Sequence, residues 1–168
     1  CIGAVGAVDS VFIFGSKPID EIKTIKLDAQ SRTSNNLSRV LLKNYWKISP
    51  DFITEGEADA FVQIGDRTFG KKDLYPYYYD LAEEWFKFTG LPFAFAVWAS
   101  NKPIPEDFKE SFNAALKLGL DHRKEVIEQI ENIGNFDLDD YLMNKVDFNL
   151  DDKKLIAINK FHEFIKAL

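Results

Sequence analysis

The spacing of apolar side chains changes several times along this chain, and each change marks an element. Thr24-Ile25-Lys26-Leu27 alternates polar and apolar residues and predicts a strand, whereas Leu37, Val40, Leu41 and Tyr45 recur at helical spacing and predict a helix over residues 34–46. Pro50 ends that pattern, since proline has no N–H to continue a helix. Residues 8–14 (VDSVFIF) are rich in β-branched and aromatic side chains and stop at Gly15-Ser16-Lys17-Pro18, a strand followed by a turn. Residues 58–64 (ADAFVQI) predict a second buried strand, stopped by Gly65-Asp66-Arg67. Strand, helix, strand in this order predicts a parallel α/β layer.

An aromatic band, residues 75–79 (YPYYY), then leads into a helix for which Asp80 is the predicted N-cap. Glu83 stands where it would complete a capping box, and Leu81, Trp85 and Phe88 share one face. Packing in the core or an interface is the expected role of the band, because aromatics dominate buried area. Gly90 and Pro92 end the helix, and residues 93–98 (FAFAVW) predict a buried, strongly apolar strand. Beyond Pro105 only helical patterns remain, over residues 108–118, 122–133, 138–146 and 150–168, with Gly119 and Gly134 as separators. The expected organisation is an α/β lobe from about residue 5 to 95 and a helical layer from about 103 to 168, without an internal repeat.

Length and charge narrow the functional classes. A chain of 168 residues with 46% hydrophobic side chains can bury one sizeable core as one domain or two small lobes. A formal net charge of −6 argues against a nucleic-acid or anionic-membrane surface, which needs clustered Lys and Arg. Any anion must be held by local geometry. A single cysteine, Cys1, rules out an internal disulfide and a cysteine metal cluster. His122 and His162 lack the spacing of metal ligands, so no metal site is expected. No signal peptide opens the chain, and no apolar run approaches the ~20 residues of a membrane span, so a cytoplasmic location is expected. The chain starts at Cys1 within what reads as a strand, which predicts that a native N-terminal segment precedes it.

Candidate chemistry centres on Ser31-Arg32-Thr33-Ser34-Asn35, the turn from strand to helix. A helix start leaves backbone N–H groups without intrahelical partners and carries a partial positive charge, so a carboxylate or phosphate fits there beside three hydroxyls and a guanidinium. Ordinary capping by Ser31 or Thr33 explains the same residues. Asp66 ends a buried strand, where ligands gather in open sheets, and capping of its own turn is the competing reading. Glu83 and Glu84 are adjacent on a helix and point apart, so they cannot act as a carboxylate pair. Neither a dinucleotide fingerprint nor a nucleophile elbow occurs.

Four separated motifs together resemble the chorismate dehydratase family of the futalosine route to menaquinone. They are Cys1-Ile2-Gly3-Ala4-Val5-Gly6 with Asp9-Ser10-Val11; Leu27-Asp28-Ala29-Gln30-Ser31-Arg32-Thr33-Ser34-Asn35; Ile64-Gly65-Asp66; and Tyr79-Asp80-Leu81 through Trp85 to Thr89-Gly90-Leu91-Pro92-Phe93-Ala94-Phe95-Ala96-Val97-Trp98. The resemblance implies a fold similar to type II periplasmic binding proteins, two α/β lobes with the ligand between them. Residues 1–7 would then be a hinge strand, residues 8–93 the second α/β lobe, and residues 94–168 a return strand and C-terminal helices of the first lobe, which is incomplete here.

The implied reaction is loss of water from chorismate to give 3-[(1-carboxyvinyl)oxy]benzoate, a lyase reaction made favourable by aromatisation of the ring, without cofactor or metal. Gly3, Ser31, Arg32, Thr33, Ser34, Asn35 and Asp66 are the substrate-binding candidates, and no catalytic base is assigned. The implied partners are chorismate and, through an uncovered apolar face, either a second copy of the chain or the family's N-terminal segment; neither nucleic acid nor membrane is expected. A solute-binding protein that captures a small carboxylate without chemistry is the alternative.

Overall fold

The protein, described by a computed structural model over residues 1–131 and 133–168, is built on a five-stranded mixed sheet. In chain order its elements are β1 (Ile2–Ala4), β2 (Val11–Gly15), β3 (Thr24–Lys26), α1 (Arg32–Asn44), β4 (Asp51–Ile53), β5 (Ala60–Ile64), β6 (Tyr77–Asp80), α2 (Leu81–Thr89), β7 (Phe93–Ala96), α3 (Glu106–Asp121), α4 (Arg123–Ile127), α5 (Leu138–Asp140) and α6 (Asp152–Lys166). A single π-helical turn, Tyr141–Lys145, follows α5.

The sheet order is β4-β3-β5-β2-β6. The expected parallel layer holds for β3, β4 and β5, whose pairings are parallel, with α1 as the crossover between β3 and β4. It fails at β2, which runs antiparallel to both β5 and β6. Alternation in a short strand reports which faces are buried but carries no direction, so the sequence could not separate these cases. Two strands lie outside the sequence expectation. In β4 the exposed residues Asp51 and Phe52 give no burial signal, and β6 uses the aromatic band as a strand, with Tyr77 and Tyr78 largely on the surface and Tyr79 half-buried.

Direction matters because it sets which loops meet. The C-terminal ends of β3, β5 and β6 and the start of β2 lie at one edge, as the registers Val11↔Ile64, Lys26↔Phe61 and Phe12↔Asp80 require. The segments 8–10, 28–35, 65–68 and the start of α2 are thereby gathered there. Ligands collect at such carboxyl ends.

Helix α1 buries Leu37, Val40, Leu41 and Leu42 against the sheet, and α2 buries Leu81, Ala82 and Trp85. Gly90 adopts φ +70 at the end of α2, a left-handed conformation that favours glycine. A separate two-stranded antiparallel sheet, β1 with β7, stands beside the main one. Phe93 is buried there and Phe95 half-buried, but the strand ends at Ala96, and Val97 and Trp98 are exposed, contrary to the expected buried strand over 93–98. Helix α6 packs back on α1, α2 and β7, with Phe161 and Phe164 edge-on to Trp85 at ring-centroid separations of 5.8 and 6.1 Å. Lys43 near the end of α1 donates to the Ala167 carbonyl at 2.7 Å.

The expected break at Gly119 is absent, because α3 runs through it to Asp121. Helix α4 ends at Ile127, short of the expected helix over 122–133, of which residue 132 lies outside the described residues. No residue of α3 is buried, although its sequence is amphipathic: Phe108, Leu116 and Leu118 face solvent. Among the described residues no helix is long and apolar enough to cross a membrane.

Candidate functional site

Two helices begin at the gathered edge, and they treat their exposed N–H groups differently. Helix α2 is closed by a carboxylate of its own chain. Asp80, 5% exposed, accepts from Ala82 and Glu83 through Oδ1 (3.0 and 3.1 Å) and from Val8 and Asp9 through Oδ2 (3.0 and 2.7 Å). Burial raises its pKa from 3.8 to about 6, against the stabilising N–H bonds. Glu83 does not complete a capping box; its carboxylate pairs with Lys87 at 3.0 Å. The positive end of α2 is therefore already filled.

Helix α1 is left open. Its cap is the neutral Ser31, whose Oγ accepts from the Ser34 N–H at 3.1 Å, and its first turn carries no acid. Among the described residues, the N–H groups of Arg32 and Thr33 and the hydroxyls of Thr33 and Ser34 have no hydrogen-bond partner. Ser34 is 2% exposed, and the surface it keeps includes its hydroxyl. Capping thus accounts for Ser31 but not for its neighbours.

The turn is held by its neighbours. Asn35 clasps Asp28, accepting from its N–H at 2.9 Å and donating to its carbonyl at 2.8 Å. The Asp28 carboxylate is buried; one oxygen accepts from Gln30 N–H at 2.7 Å and the other from the Arg67 guanidinium at 2.6 Å. Arg67 rises from a short 3-10 turn, residues 65–68, that Gly65 enters at φ +69 and ties to Ser10 by donating to its carbonyl at 2.8 Å. Asp66 in the same turn is exposed, and its Oδ1 accepts from Arg67 N–H at 2.9 Å.

Ser31, Thr33, Ser34 and Asn35 therefore share one turn, which Arg67 ties to residues 65–68, with Arg32 exposed at its rim, whereas the exposed Asp66 carboxylate caps its own turn. Gly3 has a packing environment of its own. Its N–H and carbonyl pair with Asp147 at 2.8 Å each, and a Cβ there would lie 2.6 Å from the Phe93 carbonyl and 3.0 Å from Lys154 Cε. The side chain of Lys154 is fully buried and ion-paired to Asp147. Asp28 and Arg67 were not among the sequence candidates. Asp28 lies in a quoted motif, but its partner is 39 residues away and no spacing rule links them.

A cleft of about 250 Å³ opens beside this edge, between Asp9, Phe12, Thr68 and Lys72 on one side and the segment 135–141 on the other. Asp9, Asp73, Asp137 and Asp140 line it against Lys72, which is paired to Asp9. Its charge has the wrong sign for a carboxylate ligand. No group of three or more potential metal ligands occurs among the described residues.

Residues 1–167 match the family model described as menaquinone biosynthesis, and the chain belongs to that family. It is 27% identical over 156 residues to the chorismate dehydratase of Thermus thermophilus, an alignment covering 76% of this chain and 56% of that protein. The chain thus spans little more than half the length of this curated relative.

Proposed function

We propose that this chain takes part in the dehydration of chorismate to 3-[(1-carboxyvinyl)oxy]benzoate, within a fold of the type II periplasmic-binding-protein kind. The observation that carries the reading is the open start of α1, where among the described residues the Arg32 and Thr33 N–H groups and the Thr33 and Ser34 hydroxyls have no hydrogen-bond partner. Chorismate is a dianion, and charge-assisted hydrogen bonds from such donors are the stronger kind. In this reading β1 and β7 are the crossing strands, residues 8–93 form one lobe, and residues 94–168 return over it while α3 projects from it.

Elimination removes the ring hydroxyl and a hydrogen on the neighbouring carbon, and the ring becomes aromatic. The task of the chain is to fix a carboxylate at α1 so that the leaving hydroxyl and the departing proton are oriented, in a site from which water is excluded. The family membership and the chorismate dehydratase relative support this substrate.

Incubating the full gene product with chorismate and following the ultraviolet spectrum tests it. Growth of the aromatic product's absorbance is the expected result. Saturable chorismate binding with no product would overturn the enzymatic reading in favour of a carboxylate-binding protein.

A further inference from the structure

The start of α1 contains a contradiction for an anion site, since the buried carboxylate of Asp28 sits in the same turn. Its two oxygens are engaged by Gln30 N–H and Arg67, and Asn35 ties its backbone to the helix. Left alone, that charge would repel a carboxylate ligand across a short, poorly screened path.

We propose that Arg67 is a positioning residue whose function is to neutralise Asp28, so that the α1 start can accept the carboxylate of its substrate. This rests on the function proposed above and assigns Arg67 a part in it. The ion pair is one-sided: the Asp28 side chain is 1% exposed, while that of Arg67 is 39% exposed and reaches in from the neighbouring loop. Arg67 is the cation paired with Asp28 among the described residues. Its loop is independently fixed, by Gly65 N–H to Ser10 and by the Thr68 hydroxyl to the Gly65 carbonyl at 2.7 Å, so the guanidinium is presented rather than folded around the turn. A surface ion pair alone would give no reason to bury the acid completely, whereas a turn that must be polar yet electrically neutral does.

The charge argument makes a prediction that a bracing role does not. In the full gene product, Arg67→Gln uncovers the Asp28 charge and should weaken chorismate binding about tenfold, seen in KM with kcat little changed. Arg67→Lys keeps the charge and should stay near wild type. In the double variant Asp28→Asn, Arg67→Gln the repelling charge is gone, so KM should return close to wild type. A double variant as impaired as Arg67→Gln, or worse, would overturn the proposal, as would an Arg67→Gln protein with unchanged KM.

Sulfate, titrated against the backbone amide signals of residues 32–35, provides a readout that needs no turnover. The same order of affinities is expected with it. That order in a protein inactive on chorismate would uphold the role of Arg67 while refuting the dehydratase reading. Turnover with sulfate and chorismate affinities indifferent to all three variants would do the reverse.

Discussion

Replacing Gly3 by alanine adds one methyl group at a place where the structure has no room for it. The new Cβ would lie 2.6 Å from the Phe93 carbonyl oxygen, well inside van der Waals contact, and 3.0 Å from Lys154 Cε. The oxygen belongs to the backbone of β7, held in register with β1 by the pairing Ala4↔Phe93, so it cannot swing aside as a side chain would. Lys154 is pinned by its ion pair with Asp147 and so yields little. Overpacking a tight site costs about 1–3 kcal/mol, and a backbone obstacle on one side and a clamped one on the other place this case near about 3. For a protein of this size that corresponds to a fall in Tm of about 6–12 °C. Urea denaturation followed by circular dichroism should show a lower midpoint at an unchanged slope. A stability within about 0.5 kcal/mol of wild type would refute the packing account of Gly3.

Two further consequences concern buried and paired acids. Asp80→Ala orphans the N–H groups of Val8, Asp9, Ala82 and Glu83 and removes a cap, which should destabilise the protein by about 3 kcal/mol in the same denaturation assay. With pH, Asp80 and Asp59 act in opposite senses. Burial lifts Asp80 from 3.8 to about 6, so the folded state takes up its proton first and its contribution declines as the pH rises between those values. Asp59, held down at about 2 chiefly by Lys17 and by the N–H groups of Lys23 and Thr24, stabilises fully above its ordinary 3.8 and loses this as the pH falls towards 2. Denaturation midpoints of wild type and Asp59→Asn across pH 2–5 should converge at the acid end.

The elements that pack locally were legible in the sequence. Helices α1 and α2 announced themselves through periodic apolar residues and through Ser31, Asp80 and Gly90 at their ends, because capping depends on residues within a few positions. Strand direction was not legible, since β2 and β5 both read as apolar runs, and only long-range pairing makes one antiparallel to the other. Gly119 failed as a helix break because a glycine within a helix costs only about 1 kcal/mol, and this one lies two residues from the end of α3 at Asp121. At the site, the turn at residues 31–35 was visible as a cluster of hydroxyls ahead of a helix. What distinguishes it from the start of α2 was hidden: Asp80 fills one helix end with an acid, and Arg67 neutralises the acid beside the other.

Thr33→Val in the full gene product tests the central claim most directly, because it keeps the volume of the side chain and deletes one unpartnered hydroxyl. Ser31, not Thr33, caps α1, so the melting temperature should stay close to wild type. Loss of a hydrogen bond to a charged ligand should cost about 1.5–3 kcal/mol, or about ten- to a hundredfold in kcat/KM for chorismate. Unchanged kinetics with a lowered melting temperature would show that Thr33 serves the helix alone and would contradict an anion site at the start of α1.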